Sequence, residues 1–149
     1  MVLDNKGYLL ITKFEGLRLK PYLDSVKIPT IGYGNTYYPD GKRVTLLDKD
    51  ITKQQAFDMF KEVANRFAKR VDTLVTSNIN QNQFNVLVSF AYNVGTGNFS
   101  SSTLLKKVNV NPDDLTIKDE FLRWNKAGGK ELSGLTKRRT IEAKLYFTK

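Results

Sequence analysis

The chain is predicted to be an α+β protein, mainly helical, with a small antiparallel sheet in its first third. Three observations predict this. From Phe57 onward, apolar residues recur at spacings of three and four, the period of an amphipathic helix. Residues 17–47 instead hold Pro21, Pro29 and Pro39, five β-branched residues between Val26 and Thr36, and a "DG" pair at 40–41, which together signal short strands and tight turns. At 149 residues, 40% of them apolar, the chain suits one domain with a substantial core in two lobes.

Each element has a local reason. Asp4 is a suitable N-cap for a helix over 4–15, and Gly16 stands where that helix would stop. The "DG" pair flanked by "TYY" and "RVTLL" predicts a hairpin. Thr52 to Gln55 matches a capping box, in which residues at the N-cap and third helical position satisfy each other's backbone N–H. It opens a helix over about 53–75, on the order of 30 Å long and able to bridge two lobes. Asn80 and Gln83 repeat the device before "FNVLVSFAYNV", which is apolar nearly all round and reads as a buried central helix ended by Gly95 and Gly97. Short helices follow over 101–108 and 116–126, the second holding the only tryptophan, Trp124. "KAGGKELSG" reads as a flexible turn, and a last helix runs over roughly 135–147. Lys137, Arg138 and Arg139 open that helix, where cations oppose the helix dipole, so a partner elsewhere is expected for them.

The expected organisation is one domain over 1–149. Residues 14–52 or so form a small β-containing lobe, and 53–75 the connecting helix. Residues 76–149, with the N-terminal helix, form the helical lobe. There is no internal repeat and no linker.

Composition narrows the chemistry. The chain has no histidine and no cysteine, so thiol nucleophiles, disulfides and Ser-His-Asp triads are excluded, and a zinc site is disfavoured. Catalysis would rest on Asp, Glu, Lys, Tyr, Ser or Thr. The net charge of +9 is uneven: +2 over residues 1–60 and +7 over 61–149. Such a surface favours anionic partners, although it equally serves solubility alone. No run of 18 apolar residues exists to span a membrane, and "MVLDNKGYLLITKFEG" lacks the pattern of a signal peptide.

"FEGLRLKPYLDSVKIPTIGYGNT", Phe14 to Thr36, concentrates candidate groups. Glu15 would end the first helix, while Asp24 and Thr30 would fall in the first turns and strands of the sheet. Two carboxylates on separate elements can divide the roles of general acid and base. Glycoside hydrolysis uses this arrangement, and a threonine hydroxyl can hold the water. Spacing alone leaves all three equally readable as a helix-end charge, a turn residue and a strand threonine.

The surrounding residues carry more. "FEGLRLKPYLD…PTIGYGNT" resembles the active-site segment of phage-type lysozymes, the endolysins of glycoside hydrolase family 24. The resemblance continues through "NQNQFNVLVSFAYNVGTGNFSSSTLLKKVN" and "FLRWNKAGGKELSGLTKRR", in the family's order and over nearly the whole chain. It implies a lysozyme-like fold and hydrolysis of the β-1,4 bond between N-acetylmuramic acid and N-acetylglucosamine in bacterial peptidoglycan. It also implies an inverting mechanism. In that scheme Glu15 is the catalytic acid, and Asp24 and Thr30 position the attacking water. No cofactor and no metal is implied.

Lesser assignments follow from the same resemblance. Phe99 matches a position lining the substrate groove, with ordinary core equally readable. Arg139 matches an arginine near the catalytic glutamate, with Arg138 the alternative in register. Gly32 and Gly34 would allow close approach of the glycan or simply a tight hairpin, and hairpin geometry is favoured. Asn35 departs from the family, where His is common after Gly-Tyr-Gly, and the departure bears on pH-dependent stability more than on catalysis. Expected partners are peptidoglycan alone, with no nucleic acid, no membrane insertion and a monomeric state. The expected location is the host bacterial cytoplasm until release to the wall. Two other functions fit: a lytic transglycosylase on the same substrate, which would not need Asp24, and a non-catalytic module binding anionic wall polymer or nucleic acid.

Overall fold

A computed structural model describes residues 1–149. It is mainly helical, with seven helices and two small two-stranded antiparallel sheets. The chain divides into two compact units. One, the β unit, is Ile11–Arg66; the other, the helical unit, comprises Met1–Leu10 and Phe67–Lys149. The divisions fall inside helices α1 (Asn5–Glu15) and α2 (Lys53–Leu74), which contribute residues to both units.

The start of α1 is set by Asp4, whose Oδ1 accepts from the Gly7 N–H at 3.0 Å and from the Asn85 amide at 2.7 Å. Burial raises the Asp4 pKa, but these bonds and Lys6 outweigh it and hold the carboxyl below its ordinary value. Gly16, at φ +70, then takes the chain out of the helix.

In the β unit, β1 (Arg18–Leu23) pairs antiparallel with β2 (Pro29–Gly32). Arg18 faces Gly32 and Tyr22 faces Thr30, so the register shifts between them. Pro21 lies in that shifted stretch, where its missing N–H costs no ladder bond. Ile31, Val44 and Met59 form a buried cluster against Tyr38 and Ile51. The "DG" stretch differs from expectation. It makes a tight turn, with Gly41 at φ +87 and a single bridge between Tyr37 and Arg43, and no paired strands. Asp48 explains the early exit, because its carboxylate accepts from the Thr45 N–H, the Thr45 hydroxyl and the Tyr38 hydroxyl and bends the chain back.

α2 opens with the expected capping box, the Gln55 N–H donating to Thr52 Oγ1 and the Thr52 N–H to Gln55 Oε1. In the helical unit α3 (Gln81–Val94) opens with a second, between Asn80 and Gln83. Every residue from Gln83 to Ala91 on α3 is buried, as its all-round apolar pattern requires. Three short helices follow: α4 (Thr96–Ser101), α5 (Thr103–Val110) and α6 (Ile117–Leu122). Trp124 lies just beyond α6.

The stretch read as a flexible turn is a small hairpin, β3 (Lys126–Ala127) with β4 (Lys130–Glu131). Gly128 and Gly129 both take positive φ, 59° and 79°, the requirement of the two-residue turn whose twist matches its strands. The last helix, α7 (Ser133–Tyr146), begins two residues earlier than expected. Phe90 anchors this unit's core, edge-on to Phe121 at 5.6 Å and to Trp124 at 5.7 Å; such pairs contribute about 0.5–1.5 kcal/mol each beyond burial. No helix is long and apolar enough to cross a membrane.

Candidate active site

Glu15, Asp24 and Thr30 all fall in the β unit, on three different local structures. Glu15 is the last residue of α1 and is half-buried. It lies beside the next tight turn: a Cβ built on Gly34 would stand 3.7 Å from Glu15 Oε2. The carboxylate therefore lies against the Gly32–Gly34 turn. That turn is closed by reciprocal backbone bonds between Ile31 and Asn35, both 2.9 Å. Gly32 and Gly34 have φ of +69 and +83, so the turn itself requires glycine at both positions.

Asp24 sits in the loop between β1 and β2. Its Oδ1 accepts from the N–H groups of Val26 and Ile28, each at 2.9 Å. Its own N–H donates to Ile28 O, and Lys27, at φ +62, donates its N–H to Asp24 O. An aspartate that folds the backbone over its own side chain in this way holds a fixed rotamer. One carboxylate oxygen is engaged, and Oδ2 has no protein partner.

Thr30 is on β2 and nearly buried, 2% exposed. Its hydroxyl donates to Ile28 O at 2.8 Å. The proton is thus committed, and Oγ1 is left as an acceptor. Ile28 is the common element, since its N–H holds Asp24 and its carbonyl holds Thr30.

The other assignments fare differently. Phe99 is fully buried in the helical unit, 6.2 Å from Phe90 between ring centres; a residue so placed serves packing and presents no surface to a glycan. Arg139 is also fully buried. Its guanidinium donates to Trp124 O at 2.9 Å, to Glu142 and to Asn93 Oδ1, and it lies over the Phe90 ring. Burial lowers its pKa, and Glu142 opposes that shift. Arg138 donates to Ser89 O at 3.0 Å and also meets Glu142, which accepts from the Ser89 hydroxyl. A partner for the cations opening α7 thus lies on α7 itself, at i+3 and i+4. That spacing was readable in the sequence.

Sequence reasoning passed over one feature. In the helical unit a pocket of about 430 Å³ is walled by residues that include Asn93, Asn98, Trp124, Lys126, Leu135 and Arg139. Amides, an indole face and an ammonium group suit a polar ligand with an apolar side. Trp124 beside "NK" was the available signal. No group of three or more side chains able to hold a metal ion occurs.

Comparison with known proteins shows the family. The profile described as phage lysozyme matches residues 12–142. The endolysin of Bacillus phage B103 is 41% identical over 150 residues, which cover 99% of this chain; the chain spans about half, 55%, of that relative's length. The solved endolysin from Escherichia coli O157:H7 phage FAHEc1 superposes with a TM-score of 0.90 at 36% identity, covering 99% of this chain and 94% of that one. The muramidase domain of SpmX from Asticaccaulis excentricus gives a TM-score of 0.83 at 28% identity, covering 99% and 98%. With a family match over most of its length and such relatives, this chain belongs to the phage lysozyme family.

Proposed function

We propose that the chain is an endolysin muramidase that hydrolyses the β-1,4 bond between N-acetylmuramic acid and N-acetylglucosamine in bacterial peptidoglycan, with inversion at the anomeric carbon. The observation that carries this reading is the shared scaffold of Asp24 and Thr30. Ile28 holds Asp24 Oδ1 and takes the Thr30 proton, so two acceptors, Asp24 Oδ2 and Thr30 Oγ1, are fixed by one strand end. A water that donates one proton to each is left with a lone pair to direct at the anomeric carbon. Asp24 takes a proton as that water attacks. Glu15, on the separate support of α1 and the Gly34 turn, gives its proton to the departing glycosidic oxygen. An inverting pair needs a separation of about 6.5–9.5 Å to admit the water. Family membership supports the substrate, and a surface with net charge +9 suits an anionic wall. The proposal includes a monomer acting without cofactor or nucleic acid.

The test is digestion of purified peptidoglycan with analysis of the products. Hydrolysis yields reducing ends that carry the elements of water, initially as the α-anomer. Anhydro-muramic products, with activity surviving Asp24→Asn, would establish the transglycosylase reading instead. Retention of salt-sensitive wall binding without turnover would establish a binding module.

A further inference from the structure

Given the muramidase reading, on which this inference rests, we propose that Lys27 is a specificity-determining residue. Its ammonium group, carried on the loop that holds Asp24, recognises a carboxylate of the acidic stem peptide borne by N-acetylmuramic acid.

Two observations lead there. The first is conformational. Lys27 has φ +62 and is the one residue other than glycine with positive φ. Its place in the chain explains the angle. Leu23 pairs with Pro29. Inside that pair the Asp24 N–H donates to Ile28 O at 3.0 Å, and the Lys27 N–H donates to Asp24 O at 2.9 Å. The loop enclosed by Asp24 and Ile28 is therefore Ser25 to Lys27. A three-residue hairpin loop turns once and then needs a left-handed residue before the second strand, a place that glycine fills without steric cost. Lysine has no such freedom, because in that conformation its Cβ crowds the following carbonyl.

The second observation concerns the side chain. It is exposed and makes no ion pair, hydrogen bond or ring contact within the protein. Asp24 imposes the shape of the loop by accepting from the Val26 and Ile28 N–H groups. The left-handed angle thus follows from the anchoring of Asp24, whereas the choice of lysine does not. Strain kept beside a reaction site, with no internal contact to offset it, points to a partner outside the chain.

Charge and position name that partner. An ammonium group on a flexible stem is a point charge that suits a carboxylate or a phosphate. In the proposed reaction Asp24 directs water at the anomeric carbon of N-acetylmuramic acid. The same sugar ring carries the lactyl group and its acidic stem peptide. A cation on the loop of Asp24 therefore stands on the side of the site that this ring occupies. The phosphate of a wall polymer shares the chemistry, and the experiment separates the two.

The experiment compares the intact protein with Lys27→Gln, Lys27→Arg and Lys27→Gly. The substrates are peptidoglycan freed of phosphate polymers, the same material with its carboxylates converted to amides, and walls that keep their phosphate polymer. On the free peptidoglycan at low salt, Lys27→Gln should raise KM about two- to fivefold, the range of an exposed ion pair, with kcat unchanged. Lys27→Arg should stay close to wild type. High salt should close the gap. On amidated peptidoglycan, wild type and Lys27→Gln should share one KM. Lys27→Gly should match Lys27→Gln in KM while raising Tm by about 2 °C, because the strain is released. Equal KM values on free peptidoglycan overturn the proposal, as does a gap that persists after amidation. A gap seen only on walls with phosphate polymer overturns the stem peptide in favour of phosphate. A lowered Tm for Lys27→Gly overturns the conformational half. If the wild type does not turn over peptidoglycan, the muramidase reading fails. Cosedimentation of the four proteins with free and amidated peptidoglycan then still decides whether Lys27 reads the carboxylate.

Discussion

In the helical unit, Arg138, Arg139 and Glu142 are charged, buried and paired with one another, with Ser89, Asn93 and the Trp124 carbonyl among their further partners. In the β unit the ionisable groups are treated differently. Glu15 and Asp24 are only half-buried, and one Asp24 oxygen has no protein partner. The first pattern is what a core needs, because an uncompensated buried charge is costly. The second is what a reaction site needs, because groups already satisfied by protein have nothing left for substrate or water. The difference teaches where to expect function and where to expect stability from residues of the same chemical type.

That contrast can be broken by exchanging outcomes. Glu15→Gln keeps shape and removes only the transferable proton, so kcat on peptidoglycan should fall by about 10²–10⁴-fold. Its urea midpoint should correspond to a change of no more than about 1 kcal/mol. Full activity in this variant would remove Glu15 from the mechanism.

Glu142→Gln should do the reverse. It removes the carboxylate that Arg138 and Arg139 share, at a cost of about 3–5 kcal/mol in urea denaturation. Replacing all three charges by apolar residues of similar size, Arg138→Met with Arg139→Met and Glu142→Leu, should recover most of that loss. If Glu142→Gln costs less than about 1 kcal/mol, the ionic core carries little weight and the contrast fails on that side.

Gly34→Ala tests the boundary between the two behaviours. At φ +83 a side chain costs about 1–2 kcal/mol, while its Cβ would meet Glu15 Oε2 at an ordinary contact distance of 3.7 Å. Stability should fall by that amount, and kcat by more than the lost folded fraction explains. A loss of stability with no loss of kcat per folded molecule would make the turn a passive connection.

The parts legible in the sequence were those with short-range causes. Asp4, the Thr52–Gln55 pair and the Asn80–Gln83 pair each satisfy a backbone group within three residues, so a local pattern suffices. The Gly128–Gly129 hairpin was misread because two-residue strands are too short to show alternation, although paired glycines are themselves a turn signal. The opposite error at Asp40–Gly41 came from the same rule, since nothing local reveals that Asp48 captures Thr45 and Tyr38. At the site, spacing suggested Glu15, Asp24 and Thr30 without distinguishing them from surface residues. What ties Asp24 to Thr30 is the backbone of Ile28, and a main-chain bond leaves no mark on side-chain identity. Phe99 stayed open between groove and core, and the burial of Arg139 was hidden, for a related reason: family position says which residues recur and not which way they face.

The smallest effect concerns Asp48, an exposed-loop counterpart to the buried network. The Thr45 N–H, the Tyr38 hydroxyl and the Thr45 hydroxyl together hold its carboxyl below the ordinary 3.8. A folded pKa below the unfolded one means the unfolded chain binds more protons in the interval between them. The stabilisation is therefore present above about pH 4 and is lost as pH falls through the folded value. Asp48→Asn should lower Tm modestly at neutral pH, and the difference from wild type should shrink on acidification below 3.8. The same pair acts at the other end of the scale. Burial, then the bond to Asp48, pushes the Tyr38 hydroxyl from 10.0 up to about 12. A raised folded pKa gives stability that is complete below pH 10 and lost as pH rises through about 12. In a phenolate absorbance titration, wild type should show a tyrosine that ionises late, and Asp48→Asn should move it down towards 10.0. If the Tm difference persists unchanged into acid while that tyrosine does not move, Asp48 acts by shape alone and its charge contributes nothing to the loop.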